Sequence, residues 1–350
     1  MHNRNFDTSA AKNRCAVILA GGDGLRLRTF VEKLRGDRLP KQYVKFLGEH
    51  SLLEATFQRA RALIPYRRQF VVVTANHFDY AEVPQQLSNY PEVHVASQPI
   101  NRDTGLGLLL PLADIYKTRP DSIVVVFPSD HFIEEEALFL NHVDAAFALV
   151  ERDSAKIVLL AIAPTHAETD YGYILPSNCR HKALPFGALE VKRFIEKPDP
   201  VVARKLVQRG GFWNTMVMVF NLRTLLEHLR AINPFVHRCF EQLCDAVGTA
   251  GLSDVVKQVF IRSEPLNLSK GLLENLAARQ PRSLLVLPVR GVHWSDWGSK
   301  ERILASLKRI GHGQNVDRTT RVRNLEIEAR ADYKPGHSNE PDGVRGTMFQ

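Results

Sequence analysis

Long hydrophobic runs are absent from this chain of 350 residues. Apolar stretches such as 157–163 are far shorter than the roughly 20 residues that a membrane-spanning helix needs. The apolar run at 16–20 follows a polar, charged N-terminus and is too short for the hydrophobic region of a signal peptide. We therefore expect no membrane helix, no membrane partner and a cytoplasmic location.

Cysteine is also scarce. The four cysteines, Cys15, Cys179, Cys239 and Cys244, form no Cys-x-x-Cys pair, and no histidine cluster stands at zinc-ligand spacing. We expect them to be reduced, structural thiols. RNA-recognition, helix-turn-helix and zinc-finger signatures are missing too, so the net charge of +8 favours acidic ligands without indicating nucleic acid. The sequence does not distinguish a homodimer from a monomer.

What is present is the pattern of a soluble α/β protein, with 44% hydrophobic and 24% charged residues. Short β-branched runs alternate with amphipathic stretches from residue 15 to about 165, which is typical of parallel βαβ units. Ser51 and Glu54 predict a capped helix that Pro65 ends. The predicted strands are 15–20, 70–74, 93–96, 122–127 and 156–163, and further helices are predicted over 105–117 and 137–150.

The second half mixes strands and helices on the same sheet. Asp199 and Asn233 each precede a proline and predict helix starts. The predicted strands are 173–175, 189–195, 216–220 and 283–289. We expect one domain over 14–310, made of halves 14–165 and 166–310, with a flexible N-terminus at 1–13 and a polar tail at 311–350. Ligands of a doubly wound sheet lie at the carboxyl ends of its strands.

A glycine-rich loop follows the first predicted strand and reads Leu19-Ala-Gly-Gly-Asp-Gly-Leu-Arg26. Backbone N–H groups of such a loop can surround phosphate oxygens because no β-carbon blocks them. Leu27 stands where a Rossmann fingerprint needs glycine, and the Gly-Lys-Ser/Thr of a Walker A loop is missing. The cations from Arg26 to Lys41 suit a triphosphate. The alternatives are a tight turn without a ligand and a solvated basic loop.

Seven segments in order resemble the sugar-phosphate nucleotidyltransferases, particularly the mannose-1-phosphate guanylyltransferases, over roughly residues 14–308. They are Leu19-Ala-Gly-Gly-x-Gly-x-Arg-Leu27 with Pro40-Lys41-Gln42, Gln98-Pro-Ile-Asn-Arg-Asp-Thr-Gly105, Phe127-Pro-Ser-Asp-His131, Tyr171-Gly-Tyr173, Phe194-Ile-Glu-Lys-Pro198, Phe212-Trp-Asn-Thr215 and Trp294-Ser-Asp-Trp-Gly298. The resemblance implies a doubly wound, mostly parallel sheet of the Rossmann-like nucleotidyltransferase type with a sugar-binding subdomain. Residues 14–165 would then bind the nucleotide and residues 166–310 the sugar phosphate.

The implied reaction transfers a nucleotidyl group from a nucleoside triphosphate, expected to be GTP, to a sugar 1-phosphate, expected to be mannose 1-phosphate. GDP-mannose and pyrophosphate would be the products. The resemblance assigns catalysis to Arg26, Lys41 and Lys197, nucleotide binding to Leu19, Ala20, Gly21, Gly22, Gly24, Gln98, Arg102, Thr104 and Gly105, and sugar-phosphate binding to Gly172, Glu196, Lys197 and Asn214. It assigns Mg²⁺ binding to Asp130 and Asp296.

A carboxylate such as Asp130, at the end of an apolar parallel strand, faces the nucleotide crevice and suits Mg²⁺. Four departures alter the pattern. Leu25 replaces the usual threonine or serine, and residues 28–39 are longer than, and unlike, the usual connection to Pro-Lys. Gly105-Leu106-Gly107 replaces Ala-Pro-Ala, and Thr215-Met216 replaces Ser-Gly, which we expect to alter the sugar pocket. The alternatives are a nucleotidyltransferase for another hexose 1-phosphate or triphosphate, and a non-catalytic homologue that binds nucleotide sugar and regulates a partner. A dinucleotide oxidoreductase is disfavoured by Leu27.

Overall fold

The computed structural model describes residues 13–177 and 184–311. The predictions for the N-terminus at 1–12, for Cys179 and for the tail at 312–350 lie outside these ranges. The strands are β1 (Arg14–Leu19), β2 (Gln69–Thr74), β3 (His94–Gln98), β4 (Ile123–Pro128), β5 (Phe132–Ile133), β6 (Ile157–Ile162), β7 (Tyr173–Pro176), β8 (Leu189–Ile195), β9 (Phe212–Asn221), β10 (Leu284–Val289) and β11 (Trp294–Ser295).

The helices surround the main sheet. They are α1 (Arg28–Arg35), α2 (Leu52–Arg61), α3 (Glu82–Ser88), α4 (Asp103–Thr118), α5 (Glu136–Arg152), α6 (Pro200–Gln208), α7 (Leu222–Ile232), α8 (Pro234–Ala246), α9 (Leu252–Arg262), α10 (Glu274–Arg279) and α11 (Lys300–Gly311). The Ser51 side chain accepts from the Glu54 N–H, and the Glu54 carboxylate accepts from the Ser51 N–H. Asp199 and Asn233 cap α6 and α8 as predicted.

Nine strands form one sheet in the order β3-β2-β1-β4-β9-β6-β10-β8-β7. All of them except β8 and β9 run in the same direction, which confirms the mostly parallel sheet. The chain winds outward from β1 through β2 to β3 and then returns to place β4 on the other side of β1. This reversal opens a crevice at the carboxyl ends of β1 and β4, where doubly wound sheets bind ligands.

Strand β9 joins the two predicted halves. It comes from the second half, yet it lies antiparallel between β4 and β6 of the first half. It also begins at Phe212, so Trp213 and Asn214 belong to the strand, which is longer than the predicted 216–220. Its pairing with β7 closes β9, β6, β10, β8 and β7 into a ring.

Each face of the sheet is covered by an apolar layer. Along β1, Ala16 and Ile18 face one cluster of buried residues, while Cys15 and Val17 face the other. This alternation follows from the two-residue period of a strand that is buried on both faces. Within the described ranges, no helix combines the length and the apolarity that crossing a membrane requires.

Candidate active site

A cavity of about 470 Å³ lies at the carboxyl ends of β1 and β4. The glycine loop after β1 forms one wall, and the residues that follow β4 form another. The lining residues are Leu19, Gly21, Gly22, Gln42, Val72, Gln98, Asn101, Asp103, Thr104, Gly107, Pro128, Ser129, Asp130, His131 and Met216. Its position at the strand-order reversal and its glycine wall make it the candidate nucleotide site.

The glycine loop is held by side chains from elsewhere in the chain. Gln42 Nε2 donates to the carbonyls of Ala20 and Gly22, both at 2.8 Å. Thr74 Oγ1 donates to the carbonyl of Gly21 at 2.8 Å. Because three successive carbonyls accept hydrogen bonds from side chains of other segments, the loop has a fixed shape. A β-carbon at Gly21 would collide with the Gln98 side chain, whereas one at Gly22 would meet no atom within 4 Å.

A buried histidine fixes the next residue of the loop. His77 Nδ1 lies 3.0 Å from the Tyr43 hydroxyl, and Nε2 lies 3.3 Å from Asp23 Oδ1. Burial lowers the pKa of His77 below its usual value, although the nearby Asp23 carboxylate opposes this. The arrangement connects the loop to the segment that carries Lys41 and Gln42.

Gln98 offers the cavity an acceptor. Its Nε2 donates to Thr74 Oγ1 at 2.8 Å, and the Thr74 hydroxyl is itself a donor to Gly21. This chain of bonds fixes the amide, and the buried Oε1 atom has no hydrogen-bond partner. Gln98 lines the cavity beside Gly107, where a β-carbon would lie 2.9 Å from Oε1. A buried, unpaired acceptor next to a cavity favours a ligand with an N–H or O–H donor.

Lys41 connects two of the predicted site segments. Its ammonium lies 3.0 Å from Asp130 Oδ2 and donates to the backbone carbonyls of Asp296 and Trp297 at 2.5 and 3.1 Å. Asp130 is partly exposed and lines the cavity. The structure therefore places a cation at the edge of the cavity next to the predicted metal ligand.

Asp296 is the centre of an ion-pair cluster. Its Oδ1 accepts from Arg302 at 2.8 Å, from the Tyr171 hydroxyl at 2.9 Å and from the Gly298 N–H at 2.9 Å. Its Oδ2 lies 3.3 Å from Arg26. Burial by itself would raise the pKa of the Asp296 carboxyl, but the charges of Lys41, His131 and Arg302 hold it well below its usual range.

Arg26 and Arg302 also share Asp170, at 2.9 and 3.0 Å. The guanidinium of Arg302 lies over the Tyr171 ring, 4.6 Å from its centroid. Arg26 comes from the end of the glycine loop, and Asp170 comes from the turn before β7. The cluster therefore joins the nucleotide side of the sheet to the turn that was predicted to contact the sugar.

Three predicted sugar-contacting residues, Gly172, Glu196 and Asn214, lie together as the sugar-side cluster. The Asn214 N–H donates to the Gly172 carbonyl at 2.8 Å, and a β-carbon on Gly172 would lie 2.6 Å from Glu196 Oε2. Burial raises the pKa of Glu196, which the nearby Lys197 opposes. Lys197 is exposed at the end of β8 with a φ of 46°.

The nucleotide-site predictions divide into three groups. Leu19, Gly21, Gly22, Gln98 and Thr104 line the cavity. Ala20 and Gly24 shape the loop without lining it: the Ala20 carbonyl accepts from Gln42, and Gly24 has a φ of 60° that glycine adopts readily.

Arg102 and Gly105, by contrast, are not among the residues that line the cavity. Arg102 Nε donates to the Phe260 carbonyl at 2.9 Å, near the C-terminus of α9, where backbone carbonyls lack helical partners. Gly105 packs against Leu266, to whose carbonyl its N–H donates at 2.7 Å. Both residues therefore contact the second half of the chain, at Phe260 and Leu266.

Several residues around the site were not assigned a role from the sequence, among them Gln42, Gly107, Met216 and Arg302. Gln42 stood in the Pro-Lys-Gln segment, but only the folded loop reveals that its amide spans two carbonyls. Gly107 stood in an unusual Gly-Leu-Gly sequence, which was a usable signal. Arg302 gave no signal, because its partners lie up to 134 positions away in the chain.

The two predicted metal ligands, Asp130 and Asp296, are not equally well placed to bind Mg²⁺. Asp130 presents a partly exposed carboxylate to the cavity, as a magnesium ligand that works together with phosphate oxygens should. Asp296 has a guanidinium at each carboxylate oxygen and would reach a metal only after one of them leaves. Among the residues that the structure describes, no three histidine, cysteine or acidic side chains form a ready metal site.

Comparison with known proteins identifies one family. The profile of the nucleotidyl transferase family matches residues 15–311. Xanthan biosynthesis protein XanB of Xanthomonas campestris pv. campestris is 30% identical over 299 residues, 85% of this chain and 60% of XanB. Mannose-1-phosphate guanylyltransferase of Salmonella muenchen is 28% identical over 292 residues, 81% of this chain and 57% of that protein.

Among solved structures, mannose-1-phosphate geranyltransferase from Thermus thermophilus superposes with a TM-score of 0.69 at 26% identity, over 87% of this chain and 80% of the other. These matches confirm the predicted fold. The match to XanB spans only 60% of that relative's length, so its whole activity does not carry over by similarity alone.

Proposed function

The chain belongs to the nucleotidyl transferase family, and on that premise we propose that it transfers a nucleotidyl group from a nucleoside triphosphate to a sugar 1-phosphate. The observation that carries the proposal is the arrangement around one cavity. The glycine loop lies on one side, Lys41 and Asp130 stand at the edge, and the sugar-side cluster lies beyond Met216.

The proposed chemistry is an in-line displacement. A phosphate oxygen of the sugar 1-phosphate attacks the α-phosphorus, a new P–O bond forms, and the bond to the β-phosphate breaks to release pyrophosphate. A phosphate monoester is already an anionic nucleophile near neutral pH, so neither a general base nor a covalent enzyme intermediate is required. Catalysis then depends on orientation and on stabilising negative charge.

Each predicted catalytic residue receives a role in this scheme. The loop N–H groups and Arg26 bind the triphosphate, and Lys41 stabilises charge that develops near the α-phosphate. Lys197 holds the acceptor phosphate. Mg²⁺, when bound, would neutralise phosphate oxygens. Asp130 is its best-placed ligand, and Asp296 would contribute only after a rearrangement of Arg26 or Arg302.

We propose GTP and mannose 1-phosphate as the substrates and GDP-mannose as the product. The support is the Salmonella muenchen relative, which is named a mannose-1-phosphate guanylyltransferase. The Gln98 acceptor is compatible with guanine, which has N–H donors, but every other base has them too. The relative named a xanthan biosynthesis protein supports polysaccharide biosynthesis as the use of the product.

A second candidate is a homologue that binds nucleotide sugar without turnover. It is favoured by the ion pairs that occupy Arg26 and Lys41 and by Leu25, which is 65% exposed where the family usually has a hydroxyl residue. Binding of GDP-mannose in calorimetry without any pyrophosphate release would support this candidate.

Pyrophosphate release tests the proposal directly. The assay combines GTP, ATP, UTP, CTP and dTTP with mannose, glucose and other sugar 1-phosphates in the presence of Mg²⁺. The proposal predicts the highest rate for GTP with mannose 1-phosphate. A maximum at another pair keeps the reaction and changes the substrate, whereas no release from any pair contradicts the enzyme proposal.

A further inference from the structure

Met216 stands where the cavity meets the sugar-side cluster. Among the described residues of the second predicted half, 166–310, it alone lines the cavity. Its φ of 60° is a left-handed conformation that residues other than glycine adopt rarely. A strained conformation at a site wall is a reason to look for a function of the side chain that it presents.

A bulge in β9 produces this conformation. Leu159 of β6 pairs with Met218, and Ala161 pairs with Asn214, so β9 has extra residues between the two pairs. Thr215 stabilises the bulge: its hydroxyl donates to the Leu160 carbonyl at 2.6 Å and accepts from the Val217 N–H at 3.3 Å. Because bulged residues leave the ladder, the chain turns Met216 toward the cavity.

The Met216 side chain is held in place there. Its Sδ atom accepts from Asn214 Nδ2 at 3.2 Å and from Ser269 Oγ at 3.3 Å. The Met216 N–H in turn donates to Asn214 Oδ1 at 3.1 Å. Both polar atoms of Asn214 are thus engaged by Met216, and the thioether occupies the space between Asn214 and the nucleotide wall.

We propose that Met216 determines acceptor specificity in the transfer reaction, an inference that rests on the proposed function. The side chain fills part of the space that separates the cavity from the sugar-side cluster. The acceptor is therefore an unsubstituted hexose 1-phosphate. An N-acetylhexosamine 1-phosphate is excluded because its acetamido group, similar in size to a methionine side chain, has no room beside Met216.

The test compares the wild type with Met216→Gly and Met216→Leu. For each protein, pyrophosphate release gives kcat/KM for mannose 1-phosphate and for N-acetylglucosamine 1-phosphate. Met216→Gly should lower the preference for the unsubstituted sugar by about tenfold or more, because it opens the site. Met216→Leu should retain the preference, since it retains the volume. Glycine accepts a positive φ without strain, so the first variant should fold.

Phe186→Gly is the matched control. Phe186 has a φ of 58° and is exposed, and it does not line the cavity, so this variant relieves the same backbone strain and should keep the wild-type preference. Met216→Ala should give a preference between those of the wild type and Met216→Gly. It provides the test if Met216→Gly does not fold. An unchanged preference in active Met216→Gly or Met216→Ala overturns the inference alone. Inactivity of the wild type with every acceptor overturns the proposed function as well.

Discussion

The ammonium of Lys41 lies 3.0 Å from a carboxylate oxygen of Asp130, and the Lys41 side chain is only 7% exposed. This ion pair connects the segment after the glycine loop to the end of β4. A buried cation next to the edge of the candidate nucleotide cavity is placed to stabilise negative charge on a phosphate, because low solvent exposure strengthens such interactions.

Replacing Lys41 should therefore impair the reaction strongly. Lys41→Ala removes the cation and leaves two backbone carbonyls without their donor. We expect kcat to fall by about 100-fold and the free energy of unfolding to fall by about 1–3 kcal/mol. Pyrophosphate release and chemical denaturation measure the two effects. The exposed neighbour Lys45 provides the control, since Lys45→Ala should change neither quantity. Wild-type kcat in Lys41→Ala would remove this residue from the catalytic set.

Asp130 should control the dependence on Mg²⁺. Asp130→Asn keeps the shape of the side chain and removes its charge. We expect turnover to fall by about 100-fold or more and the Mg²⁺ concentration at half-maximal rate to rise. Titration of Mg²⁺ in the pyrophosphate assay measures both, and the exposed Asp79→Asn is the matched control. An unchanged Mg²⁺ titration would show that Asp130 does not hold the metal.

Substitutions at the adjacent Gly21 and Gly22 distinguish an effect on folding from an effect on ligand binding. Gly21→Ala would push against Gln98 and should lower the melting temperature as well as activity. Gly22→Ala meets no atom within 4 Å, so the fold should tolerate it. Its methyl group would still obstruct phosphate, and we expect nucleotide affinity to fall by about tenfold. Calorimetric titration with triphosphate, beside thermal denaturation, tests the pair. Normal affinity in Gly22→Ala would exclude Gly22 from the phosphate contact.

His77 should make stability depend on pH. Its pKa in the folded protein lies below the ordinary value of 6.5, mainly because it is buried. The unfolded chain therefore takes up a proton first as the pH falls, so the stabilisation is complete above that ordinary value and is lost below it. Burial also lowers the pKa of the partly buried His131 and His293, which act in the same direction.

The variant His77→Gln removes one contributor to this effect. The loss in the free energy of unfolding between about pH 7.5 and about pH 5.5 should be smaller in the variant than in the wild type. Urea denaturation at both pH values measures it. Equal losses in the two proteins would mean that His77 does not contribute.

Local signals made much of the fold predictable. Ser51 and Glu54 form their capping box within one turn, and Asp199 caps α6 through its immediate neighbours. Strand β8 has the predicted bounds, 189–195. These features depend on residues close together in sequence, where propensity and spacing act directly.

The parts that the sequence did not reveal depend on distant partners. The antiparallel insertion of β9 between β4 and β6 follows from how the whole sheet closes. The bulge at Met216 requires Leu160 of another strand, and Arg302 reaches Asp170 across 132 positions of the chain. Distant partners can also draw a motif residue elsewhere. Arg102 stands within a predicted binding motif, yet its side chain donates to a carbonyl at the end of α9.

The central claim is that a sugar 1-phosphate attacks the α-phosphorus of a triphosphate bound in the cavity at the carboxyl ends of β1 and β4. Phosphorus NMR of a reaction with GTP, mannose 1-phosphate and Mg²⁺ tests it most directly. The account predicts that the two coupled resonances of a nucleoside diphosphate sugar grow together with one equivalent of pyrophosphate, and only when both substrates are present. Release of pyrophosphate or phosphate without the sugar, or an unchanged spectrum with every substrate pair, would contradict it.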